Sequence, residues 1–576
     1  MSKRSKQAGV SAGLGAGFGE GLFYNWQLRG PAPDRLLVKF DDPYTPDALC
    51  VSELLDLYET ETSSGRAGVD FVPGRDVGLR HFWRDLDMAD VASDTIWAKS
   101  QGFGFLRHLR GNGVAGLSPA RALVDGWLEE NQKYAAESWA ARLTAERLIS
   151  LYYHADWLIE GAPTLWRSKL LTSMARQTRH LAKIAPRVAA PVDRLVAAIA
   201  LTMAGLSLAR HEGLLDQGSN LLRRELRLQV STDGGHTSRN PSFQLRLATF
   251  LQSLINGFKS RGETVPSFLS HTAGRVTSMV EFFRSGDGRL AVFNGSVEDD
   301  PKALAIALGF DHPGRMTLDF ASNTGYQRLV GGKTKLLADI GAVSRQQSRS
   351  GTKGRSAGTV PPHLRIAIPF EGAFAFQLVT GRQRLIVNCG NAEDGAWADA
   401  LRLAGAHSTL SLGAPLAKAT PAKALVDQPW HRLHEDDRGQ LLELERSDIP
   451  DMQGATHRRR LFLTRDGDDL RGEDTLVLAS GRMMPDWVLR FHIHPTVKVS
   501  VSRDGNSVLM TTPMREGWTF SAGSAQISLE KSIYAGDLGQ RKATEQIVVR
   551  PDPAKISVSD NAARVKWAFK RQGHPL

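Results

Sequence analysis

Cysteine is nearly absent: Cys50 and Cys389 are the only two in 576 residues. That excludes a disulfide framework and allows one bridge at most; a pair of buried free thiols is the expected state. No apolar run approaches the roughly 20 residues that cross a bilayer as a helix, so no membrane span is expected. Arg-Gly tails, zinc-finger spacing and aromatic RNA-binding signatures are missing too, which leaves nucleic-acid binding resting on charge alone, and it is not expected. Residues Met1 to Gly17 start basic and continue with small residues where a secretory signal needs a continuous apolar core, so they make a poor export signal.

What is present is an apolar fraction of 41% and a charged fraction of 23%, the balance of a folded protein. The length exceeds what one hydrophobic core serves. The net charge of +11 favours encounter with polyanions; nucleic acid, an anionic membrane surface and uronic-acid glycans all qualify.

Residues 1–100 read as an irregular segment with turn formers such as Arg29-Gly30-Pro31-Ala32-Pro33. Over 101–300, apolar residues recur three and four apart, as in Ala120–Leu128 and Ser138–Ile159. That spacing predicts amphipathic helices, broken at Gly161-Ala162-Pro163, Ala185-Pro186, Gly213, Asp233-Gly234-Gly235 and Arg261-Gly262. Successive helical hairpins must close into a bundle, a superhelix or a ring. From 301 to 576 the period changes to two. Val497–Val501, Asp504-Gly505-Asn506 and Val508–Met510 spell strand, tight turn and strand. The fold class expected is therefore α+β multidomain, with helices first and an antiparallel β-sandwich second. The basic, glycine-bearing stretch 343–362 reads as a long loop, either a solvated insertion or a lid over an anionic ligand.

Six phrases occur in one order: Thr232-Asp233-Gly234-Gly235-His236-Thr237-Ser238-Arg239-Asn240-Pro241-Ser242; Arg284-Ser285-Gly286-Asp287-Gly288 with Phe293-Asn294-Gly295; Gly325-Tyr326-Gln327-Arg328-Leu329; Arg384-Leu385-Ile386-Val387-Asn388-Cys389-Gly390; Ala406-His407-Ser408-Thr409-Leu410; and His457-Arg458-Arg459-Arg460-Leu461. With the closing Trp567-Ala568-Phe569-Lys570-Arg571, this ordered set resembles the heparinase II/III-like group, bacterial members of unassigned substrate above all. The resemblance implies an incomplete (α/α) toroid followed by the sandwich, and cleavage of uronic-acid polysaccharide, such as glycosaminoglycan, by β-elimination. It also implies a periplasmic or cell-envelope location; the poor export signal makes the cytoplasm the alternative.

β-Elimination requires a group that neutralises the uronate carboxylate, a base and an acid. In such lyases the Asp-Gly segment continues to Pro-x-Tyr, and that tyrosine serves as acid/base; here Phe243 stands at its position. A second departure is the stretch Ile368-Pro369-Phe370-Glu371-Gly372, where relatives carry a catalytic or metal-binding histidine. The candidate catalytic set is thus His236 as base, Tyr326 as acid, Arg239 as carboxylate neutraliser, and His407. Trp139, Arg328, Arg458 and Glu371 are the candidates for substrate contact. Plainer readings stand beside these: His236 as a turn residue capping the next helix, Glu371 as a satisfied strand-end carboxylate, and Trp139 as core. His407 is either cleft or structural. A structural zinc is implied by the resemblance, but one histidine is not a ligand set, and no metal or other cofactor is expected. His492 and His494 read as a polar strand face. Two functions follow, a lyase of acidic polysaccharide, which the retained groups favour, and a catalytically inactive relative that binds a glycan or a partner.

Overall fold

The computed structural model describes residues 18–47, 101–209, 213–341, 370–392, 395–412, 429–447, 455–479, 483–537, 540–552 and 561–573. Cys50, the stretch 343–362 and Ile368-Pro369 lie outside the described residues. Two compact units divide the chain, Met1–Leu228 with Gln252–Pro266, and Gln229–Leu251 with Ser267–Leu576.

The first unit is helical: α1 Phe18–Gln27, α2 Phe105–Gly111, α3 Leu117–Glu130, α4 Ala141–Ile159, α5 Thr164–Ile184, α6 Pro191–Ser207 and α7 Leu214–Gln229, of which Gln229 belongs to the second unit. Gly161 takes the left-handed conformation (φ +64°) that ends α4, and Pro163 leads directly into α5. Pro191 opens α6 at its first position, where its missing N–H costs nothing. Every residue from Leu195 to Ser207 is buried, which places α6 inside the layer, packed against α4. These are the successive hairpins of the α/α toroid. Inside it lies Arg147, 0% exposed, which donates to Gln177 Oε1 (2.7 Å) and to the carbonyls of Gln101 (2.7 Å) and Ser138 (2.8 Å). Burial beside these neutral acceptors pushes its guanidinium down to about 9.

In the second unit, α8 Pro241–Ser260 begins, α9 Ser267–Phe283 and α10 Pro301–Leu308 follow, and then come strands and the short α11 Gly395–Ala400. The strands are β1 Phe320–Ala321, β2 Tyr326–Gly331, β3 Thr334–Asp339, β4 Phe376–Thr380, β5 Gln383–Val387, β6 Leu410–Leu412, β7 Trp430–Asp436, β8 Gly439–Arg446 and β9 Ala455–Thr464. They continue with β10 Asp469–Leu478, β11 Trp487–Ile493, β12 Lys498–Val501, β13 Ser507–Thr511, β14 Gly517–Gly523, β15 Ala525–Asp537, β16 Gln540–Pro551 and β17 Ala562–Arg571. Among the described residues one sheet runs β1-β2-β3-β4-β5-β11-β16-β15 with β6 on β11, and the other β12-β13-β14-β17-β10-β9-β8-β7. Neighbouring strands are antiparallel throughout; Val501 faces Val508 across the turn that the sequence spells.

Inward residues of both sheets make one core. Phe376, Phe491, Phe520, Trp567 and Phe569 stack there with ring centroids 4.7–6.4 Å apart. The alternation of β9 shows why: Leu461 and Leu463 are fully buried while Arg458 and Arg460 point to water.

Candidate functional site

The turn between α7 and α8 carries the densest set of candidates. Val230 bridges to His236, so the intervening residues fold back tightly. Two glycines permit this. A Cβ on Gly234, which sits at φ +89°, would meet the Arg275 carbonyl oxygen at 2.0 Å, and one on Gly235 would meet Thr324 Oγ1 at 1.8 Å. Asp233 fastens the turn to the start of β2 by accepting from Thr324 N (2.9 Å) and Thr324 Oγ1 (2.6 Å). Asn240 caps α8, its Oδ1 accepting from Phe243 N at 2.8 Å, with Pro241 next; the cap is therefore Asn240 rather than His236.

His236 is 1% exposed. Its Nδ1 accepts from Ser238 N at 3.0 Å, which leaves the proton on Nε2 to be donated to Gln229 Oε1 at 3.0 Å. The Phe243 ring packs against the imidazole, with centroids 4.6 Å apart and planes 56° from parallel. Burial pushes this histidine down to about 3, so the ring stays neutral.

Arg239, at φ +56°, turns its guanidinium inward to an ion pair with Asp339 and donates to the carbonyls of Thr324 (3.0 Å) and Gly325 (3.1 Å). A Cβ on Gly341 would lie 2.4 Å from its Cζ, so glycine there makes room for the fork. Tyr326, 0% exposed, donates its hydroxyl to the Arg239 carbonyl at 2.6 Å and accepts from Asn294 Nδ2 at 2.7 Å. Burial first, then the Asp339 charge, raises its phenol far above the ordinary range. Arg239 and Tyr326 are thus joined in one network with Asn294 and Asp339, which His236 adjoins through its backbone carbonyl, accepting from Arg239 N at 2.9 Å, while its ring bonds Gln229 and Ser238 instead. Sequence reasoning missed Asn240 as a cap and Asp339 as the counter-ion. The phrase Leu336-Leu337-Ala338-Asp339, an acid ending a buried strand, is the signal that was there to use.

The other candidates sit elsewhere, all but Trp139 in the same unit. His407, 3% exposed, follows a single 3-10 turn and faces Gly372 and the Phe370 ring; its Nε2 has no hydrogen-bond partner among the described residues, and burial pushes it down to about 4. Glu371 Oε2 accepts from Ala404 N at 3.2 Å. Arg328 lies over the Phe282 ring and donates to the Phe282 carbonyl. Arg458 is an exposed residue paired with Glu445 at 2.7 Å. Trp139, in the first unit, is 1% exposed and packs edge-on against His180. His492 donates from Nε2 to the Gly405 carbonyl (3.0 Å), and its Nδ1 lies 2.8 Å from Ser532 Oγ and 3.4 Å from Cys389 Sγ. Among the described residues no group of three or more His, Cys, Asp or Glu is arranged to hold a metal. None of their helices is long and apolar enough to cross a membrane.

One acid the sequence did not single out is Asp299, at φ +64° and 7% exposed, with Oδ2 lacking a partner among the described residues. Burial raises it to about 6. A carboxyl raised on folding contributes stability that is full below its ordinary value near 4 and lost as pH rises through about 6. Asp299→Asn is therefore expected to stabilise the protein at neutral pH by up to about 3 kcal/mol and to leave it unchanged near pH 4. Urea melts of both forms at several pH values check this; parallel curves would refute it.

The family model described as heparinase II/III-like, C-terminal, matches residues 356–568. FtsZ-localized protein C of Caulobacter vibrioides is 32% identical over 527 residues, 86% of each chain. Among solved structures, heparinase III aligns over 93% of both chains at 14% identity with a TM-score of 0.62. A mutant of the heparan sulfate lyase HepC from Pedobacter heparinus covers 96% of this chain and 88% of its own at 12% identity, TM-score 0.58. At such identity the solved structures speak for the fold alone, a polysaccharide lyase-like toroid and sandwich. With the ordered phrases, the sandwich match and the long alignment to one relative, the chain belongs to the heparinase II/III-like family.

Proposed function

We propose that this chain uses the heparinase-like fold to bind a partner and does not carry out β-elimination. The observation that carries this reading is the state of the candidate proton-transfer groups. His236 has both ring nitrogens engaged and a proton affinity far below neutral pH, the Tyr326 hydroxyl is committed as a hydrogen-bond donor to a backbone carbonyl, and Arg239 is neutralised by Asp339. A general base must reach the proton it removes, and an arginine already paired has little charge left for a uronate. Phe243, at the position of the lyase tyrosine, supports the same conclusion.

The partner is proposed from the relative. Alignment over 86% of each chain with a protein named for localisation with FtsZ supports FtsZ, or a protein travelling with it, as the binding partner. It favours the cytoplasm over the periplasm. Co-sedimentation of the purified chain with FtsZ polymers, and coincidence of a fluorescent fusion with FtsZ in cells, test this.

A second reading, elimination on an acidic polysaccharide, is favoured by the joining of Arg239 and Tyr326 in one network, by the place of His236 on the same turn as Arg239, and by the positive net charge. Incubation with a panel of uronate-containing glycans separates the two. No rise in absorbance from unsaturated product is expected on any of them. Product formation that His236→Ala abolishes would replace the binding reading with the lyase.

A further inference from the structure

The sheet that does not carry Tyr326 or Asp339 turns its outer face to water, and that face is divided by charge. On β8, β9 and β10 the cations are matched: Arg458 pairs with Glu445 at 2.7 Å, Arg460 with Glu443 at 2.5 Å and Arg471 with Asp469 at 2.8 Å. On β17 they are not. Arg564, Lys566, Ala568 and Lys570 face outward at alternate positions, while Val565, Trp567 and Phe569 enter the core. Beside them β14 presents Thr519, Ser521 and Gly523, and among the described residues no Asp or Glu faces outward from β17, β14, β13 or β12.

Among the described residues, the one carboxylate these cations approach is that of Glu473. Arg564 stands 3.5 Å from it, Lys566 3.8 Å and Arg460 4.0 Å, all longer than a hydrogen bond between charged groups. One carboxylate shared three ways leaves positive charge over, and the Arg564 and Lys566 side chains remain 58% and 71% exposed.

Shape accompanies the charge. Because Ser521, Gly523 and Ala568 are small, the face sinks beside the long side chains of Lys566, Arg460 and Arg471 into a depression of about 460 Å³. A Cβ built on Gly523 would meet only the Lys566 carbonyl oxygen, at 3.9 Å, so the chain itself does not fill the floor.

We propose that this face of β17 and β14 binds an extended acidic segment of another protein, laid along the strands with its carboxylates on Arg564, Lys566 and Lys570. Side chains on one face of a strand repeat about every 6.8 Å, and acids at alternate positions of an extended segment repeat at the same interval, so the two rows match. At Ala568 the row leaves a place for a neutral side chain above Ser521. Exposed ion pairs are individually weak, and several formed together along one segment give affinity that a single pair does not. Nucleic acid and acidic glycans are poorer occupants. Bases and sugar rings stack on exposed aromatic platforms, whereas Trp518, Phe520, Trp567 and Phe569 of these two strands are all buried in the core. The inference depends neither on FtsZ as the partner nor on the fate of the elimination chemistry.

Fluorescence anisotropy of a labelled peptide alternating Glu with Thr, titrated with the full chain, tests it. Saturable binding that weakens with added salt is expected, and a peptide of the same composition with its Glu in one block should bind about threefold more weakly. Lys566→Glu with Lys570→Glu is expected to weaken binding by about tenfold or more, and Ser521→Glu, on the floor, by about fivefold or more. Lys335→Glu, on an exposed residue of β3 in the other sheet, should change it by less than about twofold. Circular dichroism should show the variants folded; the floor and β17 variants each carry the test alone. Absence of binding, equal affinity for the two peptides, wild-type affinity in either the floor or the β17 variant, or tighter binding of a uronate oligosaccharide or single-stranded DNA of equal charge would each overturn the proposal.

Discussion

Replacing Asp474 with alanine is expected to lower the unfolding free energy by roughly 3–5 kcal/mol, the cost of stranding a buried charge. Asp474 is 0% exposed in the sandwich core. Its Oδ1 accepts from Arg459 Nε and His457 Nε2, both at 2.7 Å, and its Oδ2 from Arg459 Nη2 at 3.1 Å and Trp567 Nε1 at 2.8 Å. Arg459 is equally buried, and its Nη1 holds the carbonyls of Phe374 (2.7 Å) and Ser408 (3.2 Å). One carboxylate therefore satisfies three side chains and ties β9, β10 and β17 to the segments carrying Phe374 and Ser408. Without it Arg459 has no counter-charge and cannot reach water. Asp474→Asn keeps some of the contacts but not the charge, so it should recover only part of the loss. Burial by itself would raise this carboxyl, but Arg459 and His457 overcome that and hold it below the usual range. Its stabilisation is thus complete above about pH 4 and lost as pH falls further, and wild type and Asp474→Ala should converge in acid. Equilibrium urea unfolding measures all of this; a loss at neutral pH under about 1 kcal/mol would mean that the network is not what holds the core.

The second large effect is expected at Arg239 and Asp339. Arg239→Met should cost roughly 3–4 kcal/mol, because Asp339, 2% exposed, would be left charged in the interior. Arg239→Lys should recover little of it, since an ammonium cannot span the Asp339 carboxylate and the carbonyls of Thr324 and Gly325 together. Asp339→Asn should also destabilise, since its amide keeps one oxygen for either Gly341 N or Asn294 Nδ2 and leaves Arg239 without its counter-ion. Combining Arg239→Met with Asp339→Asn should cost less than the sum of the two, because neither charge is then stranded. Urea unfolding of the two single variants and the double variant measures that difference. Should Arg239→Lys instead leave stability intact while weakening affinity for a uronate glycan, Arg239 would be a ligand residue and the elimination reading would regain its footing.

Much of the architecture was legible beforehand because it depends on periodicity. The three-and-four spacing through Ala120–Leu128 gives α3, and Ser138–Ile159 gives α4, which starts at Ala141. The period of two with Asp504-Gly505-Asn506 gives β12 and β13 in the register observed. Gly161, Pro163 and Gly213 mark breaks through their backbone preferences, and these act locally. The candidate site was legible only in part. His236, Arg239 and Tyr326 stand out as residue types, and Arg239 and Tyr326 do meet, but nothing near them in sequence tells whether their polar atoms meet solvent or one another.

That division has a physical cause. Hydrophobic period, turn residues and charge are properties of neighbours along the chain, so the sequence by itself determined the order of helices and strands, the absence of a spanning helix among the described residues and the family phrases. Whether a histidine can accept a proton depends on the atoms packed around it, many of them from residues distant in the chain. Only the tertiary structure could seal His236 under Phe243 beside Gln229, spend the charge of Arg239 on Asp339 one hundred positions later, and leave Phe23 and Trp26 in the open.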